Sequence, residues 1–204
     1  MLKNKSHKTP LLAFAVVAVL SAKAFLPDEK PNKIPILLDK QEKSLKAFNK
    51  ILTVLKSPRC INCHPSGDVP HQGNDQHLHL FGVVRGAENK GGVVQKCATC
   101  HHNENNLYSN VPGAPHWELA PKSMAWYGLT DVQIGEALVN KSKNGNRSTE
   151  DLVNHMSNDS LVLWAWKPGK GRILPPVPLD EFRKTLIEWM DNGAYIPTEN
   201  TAKK

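Results

Sequence analysis

The sequence predicts a mainly α fold, with helices joined by long loops and little or no sheet. Three observations predict it. Apolar residues recur at helical spacing before residue 57 and again beyond residue 130, with capping signals at several helix starts. The stretch between is rich in glycine and poor in large apolar side chains, so it cannot build a core alone. All four cysteines fall inside that stretch, in two copies of one pentapeptide: Cys60-Ile61-Asn62-Cys63-His64 and Cys97-Ala98-Thr99-Cys100-His101.

Taken in order, residues 1–24 read as an export signal that is cleaved. Lys3, Lys5 and Lys8 form a positive start, Leu11–Leu20 is an unbroken apolar run, and Ala22-Lys23-Ala24 is an A-x-A site. The run is shorter than the ~20 residues a spanning helix needs, so a retained anchor is the weaker alternative. Residues 25–39 carry Pro27, Pro31 and Pro35 and read as an extended lead-in. Leu45, Phe48, Leu52 and Leu55 then mark an amphipathic helix over 40–56, ended by Ser57-Pro58. Residues 65–96, with Gly67, Gly73, Gly82, Gly86, Gly91 and Gly92, read as loop, and so do residues 103–121. Thr130 with Gln133 predicts a capped helix over 131–140, and Ser148 with Asp151 another over 149–157. Pro175, Pro176 and Pro178 separate the Leu161–Trp166 run from a last helix over 179–192. That helix carries Phe182, Leu186, Trp189 and Met190 on one face and stops at Gly193. The expected organisation is one functional domain over 40–196 and a flexible tail over 197–204.

The formal net charge is +7. Lys3, Lys5, Lys8 and Lys23, with no acid among residues 1–24, account for four of those charges, so the expected mature chain carries +3. No basic helix or RNA-binding aromatic motif accompanies it, which argues against a nucleic-acid partner.

C-x-x-C-H is the attachment signature of c-type haem. Two thiols add across the two vinyl groups of the porphyrin, and the adjacent histidine places an imidazole nitrogen on the iron. The reading is therefore two haem c groups, held covalently by Cys60, Cys63, Cys97 and Cys100, with His64 and His101 as proximal iron ligands. The haems would supply the apolar mass that the loops lack. Two C-x-x-C pairs could instead hold a tetrahedral zinc, and a single pair could be a thiol–disulfide centre. Neither alternative requires a histidine at the same offset after both pairs.

Candidates for the sixth iron positions are His71, His77, His79, His102, His116, His155, Met124, Met156 and Met190. His102 adjoins its own motif and is disfavoured. Met190 and Met156 sit on helices and read as packing. His77 and His79 stand ahead of His71, because three histidines between Asp68 and Leu80 are dense for a bland loop. Met124, flanked by Pro121 and Trp126 and outside any strong periodicity, is the expected sixth ligand of the second haem. All five tryptophans (Trp117, Trp126, Trp164, Trp166 and Trp189) follow the second motif, where burial or packing on porphyrin explains them. Arg85, Lys122 and Arg172 are expected partners for haem propionates.

These residues carry a family resemblance. The run Arg59-Cys60-Ile61-Asn62-Cys63-His64-Pro65, followed by Gly67-Asp68, Gln72-Gly73 and His77-Leu78-His79, resembles a family of exported bacterial di-haem cytochromes c. Val111-Pro112-Gly113-Ala114-Pro115-His116-Trp117, Leu161–Gly169 and Trp189–Ala194 extend the similarity over about residues 48 to 196. Members often bear the name of an isoquinoline oxidoreductase subunit and accompany molybdenum hydroxylases. The resemblance implies an electron-transfer protein of the periplasm that takes single electrons from such a hydroxylase or dehydrogenase and passes them to a respiratory acceptor. The chain has no spare cysteine for an iron–sulfur cluster and no G-x-G-x-x-G, so an enzymatic role of its own is not expected. The alternatives are a di-haem peroxidase-like enzyme, with Glu104 or His116 as acid–base group, or a haem-based ligand sensor. Both need an open iron.

Overall fold

The computed structural model describes residues 33–199. The expected export signal, residues 25–32 of the lead-in and residues 200–204 of the tail lie outside the described residues. Within them the chain is mainly helical. The helices are α1 (Lys33–Leu55), α2 (Pro58–Ile61), α3 (Asp131–Val139), α4 (Thr149–Asn158), α5 (Ser160–Leu163) and α6 (Leu179–Asp191). The only ladder among the described residues joins β1 (His71–Gln72) to β2 (His77–Leu78), antiparallel, with His71 opposite Leu78 and Gln72 opposite His77.

The lead-in expected to be extended to residue 39 is helical from Lys33. Pro35 stands in the first turn of α1, where a missing N–H removes no intrahelical bond. Ile34, Ile36, Leu37 and Leu38 are exposed, so this part of α1 shows no buried face for a periodicity argument to detect. Further on, α1 turns Phe48, Ile51, Leu52 and Leu55 into a core completed by Ile134 and Leu138 of α3, Leu152 and Met156 of α4, and Phe182, Leu186 and Trp189 of α6. Phe48 and Trp189 meet at a ring-centroid distance of 5.6 Å. The buried Ser44 hydroxyl donates to the Trp189 carbonyl (3.1 Å) and accepts from the Tyr195 N–H (2.9 Å), which ties the C-terminal segment to α1.

Both expected capping boxes are present. Thr130 and Gln133 exchange side-chain and backbone bonds at the start of α3, and Ser148 and Asp151 do the same at α4. At the end of α6, Gly193 has φ +100°, and Ala194 N–H reaches back to the Trp189 carbonyl at 2.9 Å. That left-handed stop is one that glycine adopts without a Cβ penalty. The Leu161–Trp166 run continues α5 into a 3-10 turn, Trp164–Trp166.

Backbone bonds tie the long middle of the chain to itself, and Met124 and Trp126 pack it into the core. Ala120 N–H donates to Cys63 O (3.0 Å), and the N–H groups of Trp126 and Tyr127 donate to His64 O (2.9 and 3.1 Å). The buried Arg85 guanidinium bonds Asn89 and the carbonyls of Ala120 and Gly67, cross-linking the loops.

The core account predicts a contrast on one helix. Leu186 is fully buried, so Leu186→Ala should destabilise the fold by about 2–5 kcal/mol. Ile187, its neighbour at 48% exposure, should cost no more than about 0.5 kcal/mol when cut to alanine. Denaturant titration reads both, and equal shifts would refute the helix register.

Candidate functional site

The first pentapeptide begins on α2, whose start at Pro58 follows the end of α1 almost at once. Cys63 and His64 continue the turn, their N–H groups donating to Cys60 O (3.1 Å) and Ile61 O (3.0 Å). The His64 ring donates from Nδ1 to the Met124 carbonyl at 2.6 Å. Trp126 stacks on that ring, with centroids 3.5 Å apart and planes 8° from parallel. The second pentapeptide opens with a 3-10 turn, Cys97–Thr99, and His101 N–H closes on Cys97 O at 2.9 Å. The His101 ring donates from Nδ1 to the Pro112 carbonyl at 2.7 Å, and Trp117 stacks on it at 4.5 Å and 8°.

The two histidines thus stand in the same local setting, although the sequences that supply it differ. A carbonyl only accepts, so the proton sits on Nδ1 and Nε2 keeps its lone pair. That is the tautomer a metal-ligating histidine needs, with its other nitrogen held by an outer partner. Burial pushes the His64 pKa down to about 4, opposed by the bond to Met124 and aided by the charges of His155 and Arg85. His101 is lowered as well, first by burial. Both rings are neutral at neutral pH.

The thiols are free. Burial raises Cys60 to about 12 and Cys63 to about 11, and raises Cys97 too. Cys60, Cys63 and Cys97 therefore stay protonated at neutral pH, unlike a reactive thiolate. A tetrahedral zinc site would need three or four ligands to converge, and no such group of His, Cys, Asp and Glu side chains is assembled among the described residues.

Each motif faces a cavity. One, of about 480 Å³, is bordered by Cys97, Cys100, His101, His79 and Trp117. The other, of about 250 Å³, is bordered by Cys60, His64, Met124, His155 and Met156. Cys63, Arg59 and Trp164 border both. Arg59 is only 5% exposed. Its terminal amine donates to Gly73 O (2.9 Å) and Asn74 Oδ1 (3.0 Å), its guanidinium lies 5.9 Å over the Trp164 ring, and its buried Nε has no partner. A buried cation with a donor to spare calls for an anion. Arg172 borders the larger cavity and Arg147 the smaller. The residues present therefore fit haem: thiols and a lone-pair imidazole at each motif, apolar walls, and arginines for the propionates.

Several expected residues are placed elsewhere. Met124 does not border the His101 cavity; its carbonyl holds His64, and its side chain, 7% exposed, belongs to the core. It stands on the first motif's side, beside His64. His77 is exposed and has both ring nitrogens engaged, Nδ1 with Asp75 (2.7 Å) and Nε2 with Gln72 (2.9 Å), and it borders neither cavity. His79 and His71 border the His101 cavity, and His116, His155 and Met156 border the His64 cavity. Met190 packs against the core. Arg85 cross-links loops and Lys122 pairs with Asp68 at 2.9 Å, so of the three expected propionate partners only Arg172 borders a cavity. Glu104 and His102 are exposed and border neither.

Sequence reasoning missed Arg59, whose one signal was its place directly before Cys60. It also missed the pairing of Trp126 with His64 and of Trp117 with His101, and no common spacing announces either. Asn105 was invisible too. Its Oδ1 accepts from Gly113 N–H (3.0 Å) and Trp164 Nε1 (2.8 Å), and its Nδ2 donates to Lys167 O (2.8 Å). It thereby anchors the loop segment that presents the Pro112 carbonyl. Gly113 approaches the other side of this loop so closely that an added Cβ would overlap the Glu104 carbonyl oxygen.

No protein-family model, curated protein or solved structure matches the chain.

The Pro112–Gly113 segment supplies a test of this arrangement. Gly113→Ala should displace it and cost about 1–3 kcal/mol, as overpacking against backbone does. Gly67→Ala, with nothing within 4 Å of the added carbon, should be near neutral. Thermal melts of the two variants decide, and a silent Gly113→Ala would show that the close approach does not hold the segment.

Proposed function

We propose that the chain is an exported di-haem c-type cytochrome that transfers single electrons. The observation that carries this reading is the repeated setting of His64 and His101: the same motif, the same Nδ1-to-carbonyl bond and the same stacked tryptophan at both. The haem, when bound, supplies a one-electron couple at its iron.

The chain's own residues do the rest. Cys60 with Cys63, and Cys97 with Cys100, anchor the two macrocycles. His64 and His101 present Nε2 as iron ligands, and their carbonyl partners hold each ring's orientation and raise its basicity. Arg59, Arg147 and Arg172 offset propionate charge, and the apolar walls limit water, which tunes the potential through the local dielectric. Cys63, Arg59 and Trp164 border both cavities, so the two centres would be neighbours within one chain. Two adjoining carriers suit a relay between a donor and an acceptor. By the resemblance given above, the donor is a periplasmic molybdenum hydroxylase or dehydrogenase and the acceptor a respiratory one. In that setting the export signal over residues 1–24 is cleaved, and the mature protein works in the periplasm without a membrane span. Among the described residues, no helix is long and apolar enough to cross a membrane.

Protein matured in a host that attaches c-type haem should show two covalent haems per chain by pyridine haemochrome assay, with an N-terminus near Phe25. The double variant Cys60→Ala/Cys63→Ala should show one. Stoichiometric zinc and no haem in the native chain would overturn the reading, and an N-terminus still at Met1 would overturn the export step.

A further inference from the structure

Of the three histidines between Asp68 and Leu80, His79 alone is placed opposite a proximal ligand. Its ring centroid is 6.1 Å from that of His101, with the planes 74° apart. Both rings border the larger cavity, which Cys97 and Cys100 also border. Two imidazoles that share one metal through bonds of about 2.0–2.1 Å hold their ring centroids about 6 Å apart, because each centroid lies about 1.1 Å behind its nitrogen. An edge-to-face ring contact can have the same separation. The hydrogen bonds separate the two cases. His79 donates from Nδ1 to Leu80 O at 2.7 Å, and His101 donates from Nδ1 to Pro112 O at 2.7 Å. Each ring therefore keeps a lone pair on Nε2, and no hydrogen bond joins the two. Two acceptors brought to one cavity gain nothing from each other and gain much from a shared cation.

The backbone holds His79 in place. Its N–H donates to Pro70 O at 2.8 Å, directly beyond the β1–β2 ladder. His71 has a different neighbour, the Tyr127 ring at 4.3 Å, and its Nδ1 bonds Gln76 O. His77 has both nitrogens occupied.

We propose that His79 is the second axial ligand of the haem held by Cys97, Cys100 and His101. This rests on the di-haem reading. The segment that follows the first motif then completes the second site, so the two sites assemble together and not as separate modules. With His79 as its second protein ligand, iron held at His101 would be closed to external ligands. That suits electron transfer and leaves no open position there for peroxide or a sensed gas. Two imidazoles also set a lower potential than a methionine–histidine pair.

The test uses the haem-loaded full chain. Carbon monoxide titration of reduced His79→Gly should show one more equivalent bound per chain than the native protein, with covalent haem still at two. Added imidazole should reverse the gain. His79→Met should raise the midpoint potential of one haem and leave the other unchanged. His77→Ala should match the native protein in all three respects. If His79→Gly retains two haems with native carbon monoxide uptake and both native potentials, His79 is not a ligand. A gain appearing in His71→Ala instead would overturn the assignment in the same way. Absence of covalent haem from the native chain would sink the di-haem reading itself, a separate result.

Discussion

One hydrogen bond recurs at both motifs and underlies the proposed chemistry: imidazole Nδ1 to a backbone carbonyl. Its net worth to stability is modest, about 0.5–1.5 kcal/mol. Its worth to function is larger, because it decides which ring nitrogen carries the proton. With Nδ1 committed to Met124 O or Pro112 O, Nε2 of His64 and His101 keeps the lone pair that the proposed iron ligation would use. Loss of either carbonyl would free the ring to rotate or to change tautomer, and the thiols alone would not position an iron. Much of the loop structure can be read as the means of presenting those two carbonyls. The 3-10 turn Lys122–Met124 presents one; the Pro112–Gly113 loop segment, held by Asn105, presents the other.

The helical core makes that presentation possible. A segment as poor in apolar side chains as 65–121 cannot fix its own backbone, and here it is fastened to something rigid. The pairing of α1 with α6 around Phe48, Leu186 and Trp189 provides the base. From it, α2 projects Cys60, while the α5 region brings Trp164 against Trp117 in an edge-on contact at 4.9 Å. Arg59 lies where the two cavities adjoin, held by Gly73 O and Asn74. On the di-haem proposal its buried charge would act on both sites, since the interior screens it less than water does.

What was legible in the sequence was local. Thr130 with Gln133 and Ser148 with Asp151 announce helix starts because capping is a contact over three residues. Gly193 announces a stop for the same reason. The pentapeptides stand out because the attachment proposed for them needs a fixed spacing. The start of α1 was not legible, since Pro35 is harmless in a first turn and the flanking apolar residues stay exposed. Met124 was singled out for its thioether, whereas it is its carbonyl that meets His64; composition does not distinguish a side-chain role from a backbone one. Nor could spacing pair Trp126 with His64 or His79 with His101, because those contacts depend on how loops cross.

The central claim is that each pentapeptide holds its own haem, and it is tested most directly by peptide mapping of the native protein with mass spectrometry. The account predicts that the peptide containing Cys60–His64 and the peptide containing Cys97–His101 each carry the added mass of one haem through two thioethers. Two unmodified peptides, or a haem on one motif alone, would contradict it.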